Sequence, residues 1–418
     1  MAVAPQQEHG TSHREDEPDE PLLAGLTVLD FTRVLSGPYC TRLLADLGAR
    51  VIKIERPGEG DEVRYTGLQL DPQRSDQSAY FARLNAGKRS VAIDLANPDS
   101  REVVLDLVRR ADVVVENFAP GVMVRHRLDY ESLRAIRPDL VYCSISGFGQ
   151  TGPLSSMQAY AHLINAISGM MDLECAGTAA PRASNLQAAD VLAGGQAFGA
   201  ICAALLRRAR SGRGAYIDLS MLECLVAADD VNFPVLLNGG TVMRRPRPGM
   251  VVHPIGDRHV AMQVGGAAQM WPRLAALMGR PDLAADARFT TPAARRDNWS
   301  ELREILGQWL ESFASVDDAV VTLASARIPG VPMLSPEELV AHPHMAHRQA
   351  FPEVAHPVNG SARVTATPFH LDGAAIAPAG PVPYRIGQNT REVLVDVLGY
   401  SSERVQALLA RGVVDSPD

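Results

Sequence analysis

The sequence has no CxxC pair, and its five cysteines (Cys40, Cys143, Cys175, Cys202 and Cys224) are odd in number and scattered. Neither a disulfide framework nor a zinc ribbon is written into it. Buried, reduced thiols in a reducing compartment are the expectation. Residues 1–20 contain no apolar h-region, so they do not read as a secretory signal. The most apolar window, 191–206, is shorter than the ~20 residues a bilayer span needs. A cytoplasmic protein with no membrane partner is expected. Basic residues are not in excess: the net charge is −8, which argues against nucleic acid as a partner. No GxSxG elbow surrounds Ser36, Ser144 or Ser146, which argues against serine hydrolase chemistry. No carboxylate or cysteine completes a ligand spacing around His162 or the AHPHMAH run of His342, His344 and His347, so no metal is expected. There is no repeat of fixed period.

What is present is a chain of 418 residues, 46 % apolar and 21 % charged, able to bury a sizeable core. Residues 1–20, rich in Pro, Glu and Asp, read as a disordered tail. From Leu22 onward, short β-branched runs alternate with helical spacing. GLTVLDF, PYCTRLLADLG and ARVIKIERPG form a strand–helix–strand unit. SVAIDL, NPDSREVVLDLVRRA and DVVVENF repeat it, and DLVYCSISGFG adds a strand. This alternation predicts an α/β fold with a parallel sheet. The expected division is a large domain over 21–225, a smaller α+β domain over 226–334, and a return to the large domain over 335–418 that ends in a helix pair.

Two loops invite a ligand. TRVLSGPYC joins the first strand to its helix, where open parallel sheets bind ligands beside a helix N-terminus. An ordinary turn explains the same residues. GFGQTG, over 147–152, matches a dinucleotide loop in letters, but Pro153 follows and no clear helix begins, so nicotinamide or flavin is not expected. Arg56, Lys88, Arg89 and Arg125 stand at strand ends or in loops. Singly they read as surface charges; together they could hold phosphates.

NLQAADVLAGGQAFGAICAALL, over 185–206, contains one formal charge, Asp190. Its plainest role is N-cap of a helix starting at Val191. A carboxylate of ordinary pKa is also ionised at pH 7 and can act as a nucleophile where water is excluded. Gly194 and Gly195 would permit close approach by a substrate or a second subunit.

The chain resembles the class III CoA-transferases, the group that includes formyl-CoA and carnitine CoA-transferases and the related α-methylacyl-CoA racemases. The resemblance runs from about Leu22 to Val414. It is carried in order by LAGLTVLDFTRVLSGPYCTRLLADLGARVIKIERPGEGD, NAGKRSVAIDL, ADVVVENFAPGVM, SISGFGQTGP, AADVLAG, RSGRGAYIDLSMLE and NTREVLVDVLG. It implies a Rossmann-like large domain built from both chain ends, a small inserted domain, and an interlocked homodimer. It places Asp190 as the nucleophile of an acyl-CoA:carboxylate CoA-transferase, cycling through an aspartyl-acyl anhydride and an aspartyl-CoA thioester. Coenzyme A, as acyl-CoA, and a small carboxylic acid are the implied substrates. The resemblance also puts Val34, Leu35 and Ser36 in the CoA-binding segment and Arg56 and Arg125 on phosphates. Asn117, Phe118, Tyr160 and Met221 match positions along the CoA or acyl pocket.

Leu35 and Gln158 stand where formyl-CoA transferase has a glutamine and a lysine, and the glycine run over the formyl site is reduced to VGGAAQMW. Formyl or oxalate specificity is therefore not implied. In the racemases a histidine partners the same aspartate; here Tyr160 occupies that place, and a tyrosine of pKa near 10 is a poor base. His162, two residues on, would point about 200° away along a helix. Racemase chemistry ranks second, and a non-catalytic acyl-CoA-binding subunit third.

Overall fold

A computed structural model describes residues 20–175, 186–242, 249–265 and 269–417. The tail expected to be disordered lies, but for Glu20, outside the described residues. The chain divides into two compact units: 1–165, 186–228 and 350–418 form the larger, and 166–185 with 229–349 the smaller.

The larger unit is organised by one sheet. Its strands are β1 (Thr27–Asp30), β2 (Arg50–Glu55), β3 (Arg89–Ile93), β4 (Val113–Glu116), β5 (Val141–Ser146), β6 (Ala215–Ser220) and β7 (Val414–Asp415). Their order is β7-β3-β2-β1-β4-β5-β6. Neighbours pair in parallel, except β7, which runs antiparallel beside β3. Runs such as VVVE in β4 are buried throughout because helices cover both faces of such a sheet. The chain first builds outward from β1 through β2 and β3, then returns to the other side of β1 with β4. The loops leaving β1 and β4 therefore splay apart and open a crevice between them, the usual ligand position in such a fold. β7 supplies the edge strand, so both ends of the chain build the sheet.

Helix α1 (Ser36–Asp46) follows β1, and α2 (Ser100–Arg110) follows β3. Val393 and Leu394 of the turn Val393–Val397, and Leu408 of the helix Ser402–Ala410, join the core beside α2. Helix α3 (Ala188–Ser211) buries Ala193, Ala197, Ile201 and Ala204 at helical spacing, which accounts for its small residues. It is 24 residues long, and by length and composition alone it could cross a membrane, so the window of 191–206 understated it. A Cβ on Gly194 would lie 2.5 Å from the Ser36 carbonyl oxygen, so α1 and α3 can approach closely only with glycine there. The close approach anticipated for a substrate or second subunit is thus made by the chain's own α1. Gly195 has nothing within 4 Å of a built Cβ.

The smaller unit has a three-stranded antiparallel sheet, Met250–Ile255, Arg258–Gln263 and Gly330–Pro332. Trp271, Phe289, Leu302, Leu306 and Leu310 form its core. Its limits differ from the expected 226–334. The helices Pro336–Ala341 and Pro343–His347 belong to it, and Arg258 reaches Glu338 at 3.4 Å, tying the first of them to the sheet. Residues 166–175 also group with it rather than with the large unit.

Candidate active site

The crevice between β1 and β4 is bridged by one side chain. Asn117, just past β4, accepts the Arg33 N–H at 2.8 Å and donates to the Arg33 carbonyl at 2.7 Å. Its amide also reaches the Ser36 hydroxyl at 3.4 Å. The segment 32–35 is thereby fixed where it enters α1.

The N-terminus of α1 has no side-chain cap of its own at Leu35. Asp190 approaches it from another helix: the Ser36 hydroxyl and backbone N–H favour the charged form of its carboxylate. Asp190 is therefore not the N-cap of α3, as its place before Val191 suggested. α3 begins three residues earlier than expected, with Gln187 at the cap and Asp190 in the first turn. The positive ends of two helix dipoles meet at this carboxylate.

Asp190 is buried, with 9 % of its surface exposed. Burial pushes its pKa up to about 6, against the pull of the two Ser36 hydrogen bonds and the charge of His162. Its pKa is thus not the ordinary one expected, yet the group is mostly ionised at pH 7. A desolvated carboxylate held by two donors can act as a nucleophile. The same donors can stabilise an oxyanion on its carbon.

Sequence reasoning missed two neighbours. His162 lies within electrostatic reach of Asp190. The 200° argument does not apply, because Tyr160 precedes the first residue of the helix Ala161–Ile167. Tyr80, on the helix Ala79–Asn85, feels the Asp190 charge, which together with burial raises its phenol pKa.

At the Thr32–Arg33 end of the same loop a cavity of about 230 Å³ crosses the carboxyl ends of β1 to β4; Asp190 and Ser36 do not line it. Phe31, Ile54, Ile93 and Phe118 give it apolar walls, and Arg33 and Arg56 lie at its lining. The Arg33 guanidinium stands 5.3 Å from the Phe118 ring centre. Arg56 pairs with exposed Glu59, at 2.9 Å. The structure thus brings Arg56 and Phe118 to one cavity, with Asn117 and Ser36 linked to the segment beside it. Arg125 does not line it, though the adjacent His126 does. Val34 is half-buried and Leu35 is buried. Tyr160 is exposed and Met221 is buried at the start of the helix Met221–Ala227; neither lines this cavity. In GFGQTG no helix follows the glycines. The Gln150 N–H donates to both oxygens of Asp218 at 3.1 Å. Among the described residues no group of three His, Cys, Asp or Glu could hold a metal.

Glu116, at the end of β4, is a second buried carboxyl. Burial pushes its pKa up to about 7, although the Ser144 hydroxyl bonds it and the Phe118 N–H donates to it at 2.8 Å. Its ordinary value is 4.5. Between those values the folded state binds more protons than the unfolded one, so stability falls as pH rises through that window. Glu116→Gln removes the penalty. Urea denaturation should show the variant gaining on the order of 2 kcal/mol over wild type at pH 8 and almost nothing at pH 4.5. An equal difference at both pH values contradicts the assignment.

The description CoA-transferase family III matches residues 23–390. The chain belongs to that family. It is 31 % identical over 399 residues to human succinyl-CoA:glutarate CoA-transferase, covering 94 % of this chain and 90 % of that one. It is 36 % identical over 339 residues to acetyl-CoA:oxalate CoA-transferase of Acetobacter aceti, covering 78 % and 84 %. Among solved structures, a CaiB/BaiF family protein from Brucella suis superposes with a TM-score of 0.76 at 32 % identity, over 90 % of this chain and 99 % of that one. The protein is a CoA-transferase. Its relatives' names specify different acids, so membership of the family leaves the acid open.

Proposed function

We propose that this CoA-transferase moves CoA from an acyl-CoA to a small carboxylic acid with Asp190 as covalent carrier. The observation that carries the proposal is the buried Asp190 carboxylate at the start of α3, where that helix packs on the N-terminus of α1 and the Ser36 N–H and hydroxyl favour its charged form. In the first step a carboxylate oxygen attacks the thioester carbon, the C–S bond breaks, and CoA leaves as thiolate. The product is an aspartyl-acyl anhydride. The thiolate next attacks the Asp190 carbonyl, releasing the donor acid and leaving an aspartyl-CoA thioester. The acceptor carboxylate attacks that thioester, giving a second anhydride and the thiolate. Attack of the thiolate on the acceptor's acyl carbon forms the new acyl-CoA and regenerates Asp190. Each step exchanges one acyl bond for another, so the thioester's free energy is retained.

The Phe31–Ile54–Ile93–Phe118 cavity would take the adenine end of CoA, with Arg33 and Arg56 on its phosphates. Arg125, Tyr160 and Met221 remain candidates for contacts made when CoA is bound. The proposal includes an interlocked homodimer in the cytoplasm, acting without metal, nucleic acid or membrane. It rests on the family resemblance.

A second reading is α-proton transfer, because His162 lies within electrostatic reach of Asp190. One experiment separates the two. The enzyme is incubated in D₂O with a panel of acyl-CoAs and free acids, and thioesters are read by mass spectrometry. The proposal expects at least one acid to take CoA. Deuterium at the α-carbon without exchange favours the second reading. CoA binding at micromolar affinity with neither reaction overturns both.

A further inference from the structure

Side chains hold five of the eight backbone N–H and C=O groups of segment 32–35. Asp30 Oδ1 accepts the Thr32 N–H at 2.9 Å, and Lys53 Nζ donates to the Thr32 carbonyl at 2.7 Å. Asn117 brackets Arg33 on both sides. Asp61 Oδ1 accepts the Val34 N–H at 3.1 Å. That last contact lies on the least favourable residue, because Val34 has φ +67°, a left-handed conformation that a β-branched residue rarely adopts. Such a conformation persists only where its surroundings enforce it.

The enforcing group is itself fixed. Asp61 Oδ2 lies 3.0 Å from Lys53 Nζ, with both side chains fully buried. The Asp61 N–H donates to Glu55 Oε1 at 3.0 Å, and Arg64 clamps Glu55 through two bonds of 2.8 and 2.7 Å. A buried ion pair returns little net stability for its desolvation. Here it fixes a geometry: two residues beyond Val34 stands Ser36, on whose carbonyl Gly194 packs one helical turn past Asp190, and whose N–H and hydroxyl favour the charged form of that carboxylate.

We propose that Asp61 and Lys53 are positioning residues, holding Val34 in its left-handed turn and so aiming Ser36 at the Asp190 carboxylate. Neither residue is a hydrogen-bond partner of Asp190; they act through the loop. The inference rests on Asp190 being the nucleophile only for its consequence in turnover. The groups that act on the Asp190 charge are Ser36 from α1, His162 from the helix Ala161–Ile167 and Tyr80 from the helix Ala79–Asn85. None of them is altered by the variants below.

The test compares wild type, Asp61→Asn, and Asp61→Asn/Val34→Gly. Two midpoints are read: the Asp190 carboxylate by infrared difference titration against Asp190→Asn, and the acid limb of kcat/KM. Loosening Ser36 removes hydrogen bonds to the charged form, so Asp61→Asn should move both midpoints up by about one pH unit. Glycine adopts the left-handed turn without a clamp. Adding Val34→Gly should therefore return at least half of the shift, which a merely structural role for Asp61 would not predict. If Asp61→Asn does not fold, Lys53→Met/Asp61→Leu removes both charges together, and the same shift and rescue are expected. An unmoved infrared midpoint, or a shift that Val34→Gly fails to reduce, overturns the proposal. An infrared shift with rescue but an unmoved kinetic limb leaves the positioning role standing and removes Asp190 from the chemistry.

Discussion

Asp190→Asn lowers the rate of CoA exchange between thioester and acid by roughly 10⁴- to 10⁶-fold, the scale seen when a covalent nucleophile is removed. The amide keeps the size of the group and can still accept from Ser36, so the fold and CoA affinity should change little. It cannot form an anhydride, because its nitrogen occupies the position of the attacking oxygen. The check is a single-turnover assay with the best acyl-CoA and acid pair, alongside a CoA titration by calorimetry. A fall in kcat with an unchanged CoA dissociation constant is expected. A loss of less than tenfold would mean that the carboxylate supports the loop but does not carry the acyl group.

Lys88→Ala should destabilise the large unit by about 3–5 kcal/mol. Lys88 Nζ donates to Asp30 Oδ2 at 2.9 Å, to Thr41 Oγ1 at 2.7 Å and to the Pro38 carbonyl at 3.0 Å. Both charged side chains are fully buried. Burial opposes the Asp30 charge, yet Lys88, Lys53 and the Thr32 and Thr41 hydroxyls hold its carboxyl well below the usual range. Removing Lys88 leaves that anion without its nearest cation. The surface pair of Arg404 and Glu102, at 3.0 Å with 43 % and 76 % of the side chains exposed, supplies the contrast. Arg404→Ala should cost less than about 1 kcal/mol. Chemical denaturation measures both. A cost for Lys88→Ala no larger than that for Arg404→Ala would contradict the role given to the buried pair. Asp30→Leu/Lys88→Met should recover most of the loss, because it leaves no unpaired charge inside.

The sheet was largely legible in the sequence because each strand is a short β-branched run between turn residues, and each helix carries its own period. The strands expected over 25–31, 90–95 and 112–118 are found within Thr27–Asp30, Arg89–Ile93 and Val113–Glu116, trimmed at the ends or displaced by a residue. β7 was not foreseen. A two-residue strand has no periodicity, and it exists only because β3 offers an edge. The start of α3 was misjudged because Asp190 reads as a cap by its local sequence, while its charge is favoured by Ser36 of α1. Contacts between distant segments leave no local signature. Asn117 clamps Arg33 across 84 positions and Asp61 holds Val34 across 27, and each looks like any polar loop residue. Tyr80 was hidden for the same reason, whereas His162 was set aside by a helix argument that fails because the helix starts after Tyr160. Arg56 and Phe118 reached their cavity as expected, because residues just past parallel strands converge at one end of the sheet.

The most direct test is chemical trapping of the intermediate. The enzyme is turned over with an acyl-CoA and an accepted acid in the presence of hydroxylamine, then digested and mapped by mass spectrometry. An activated Asp190 carbonyl, whether anhydride or thioester, is predicted to be captured as a hydroxamate on the peptide containing Asp190, and only when acyl-CoA is present. Sustained exchange with no modified Asp190 peptide, or a hydroxamate at another carboxylate, would contradict the account.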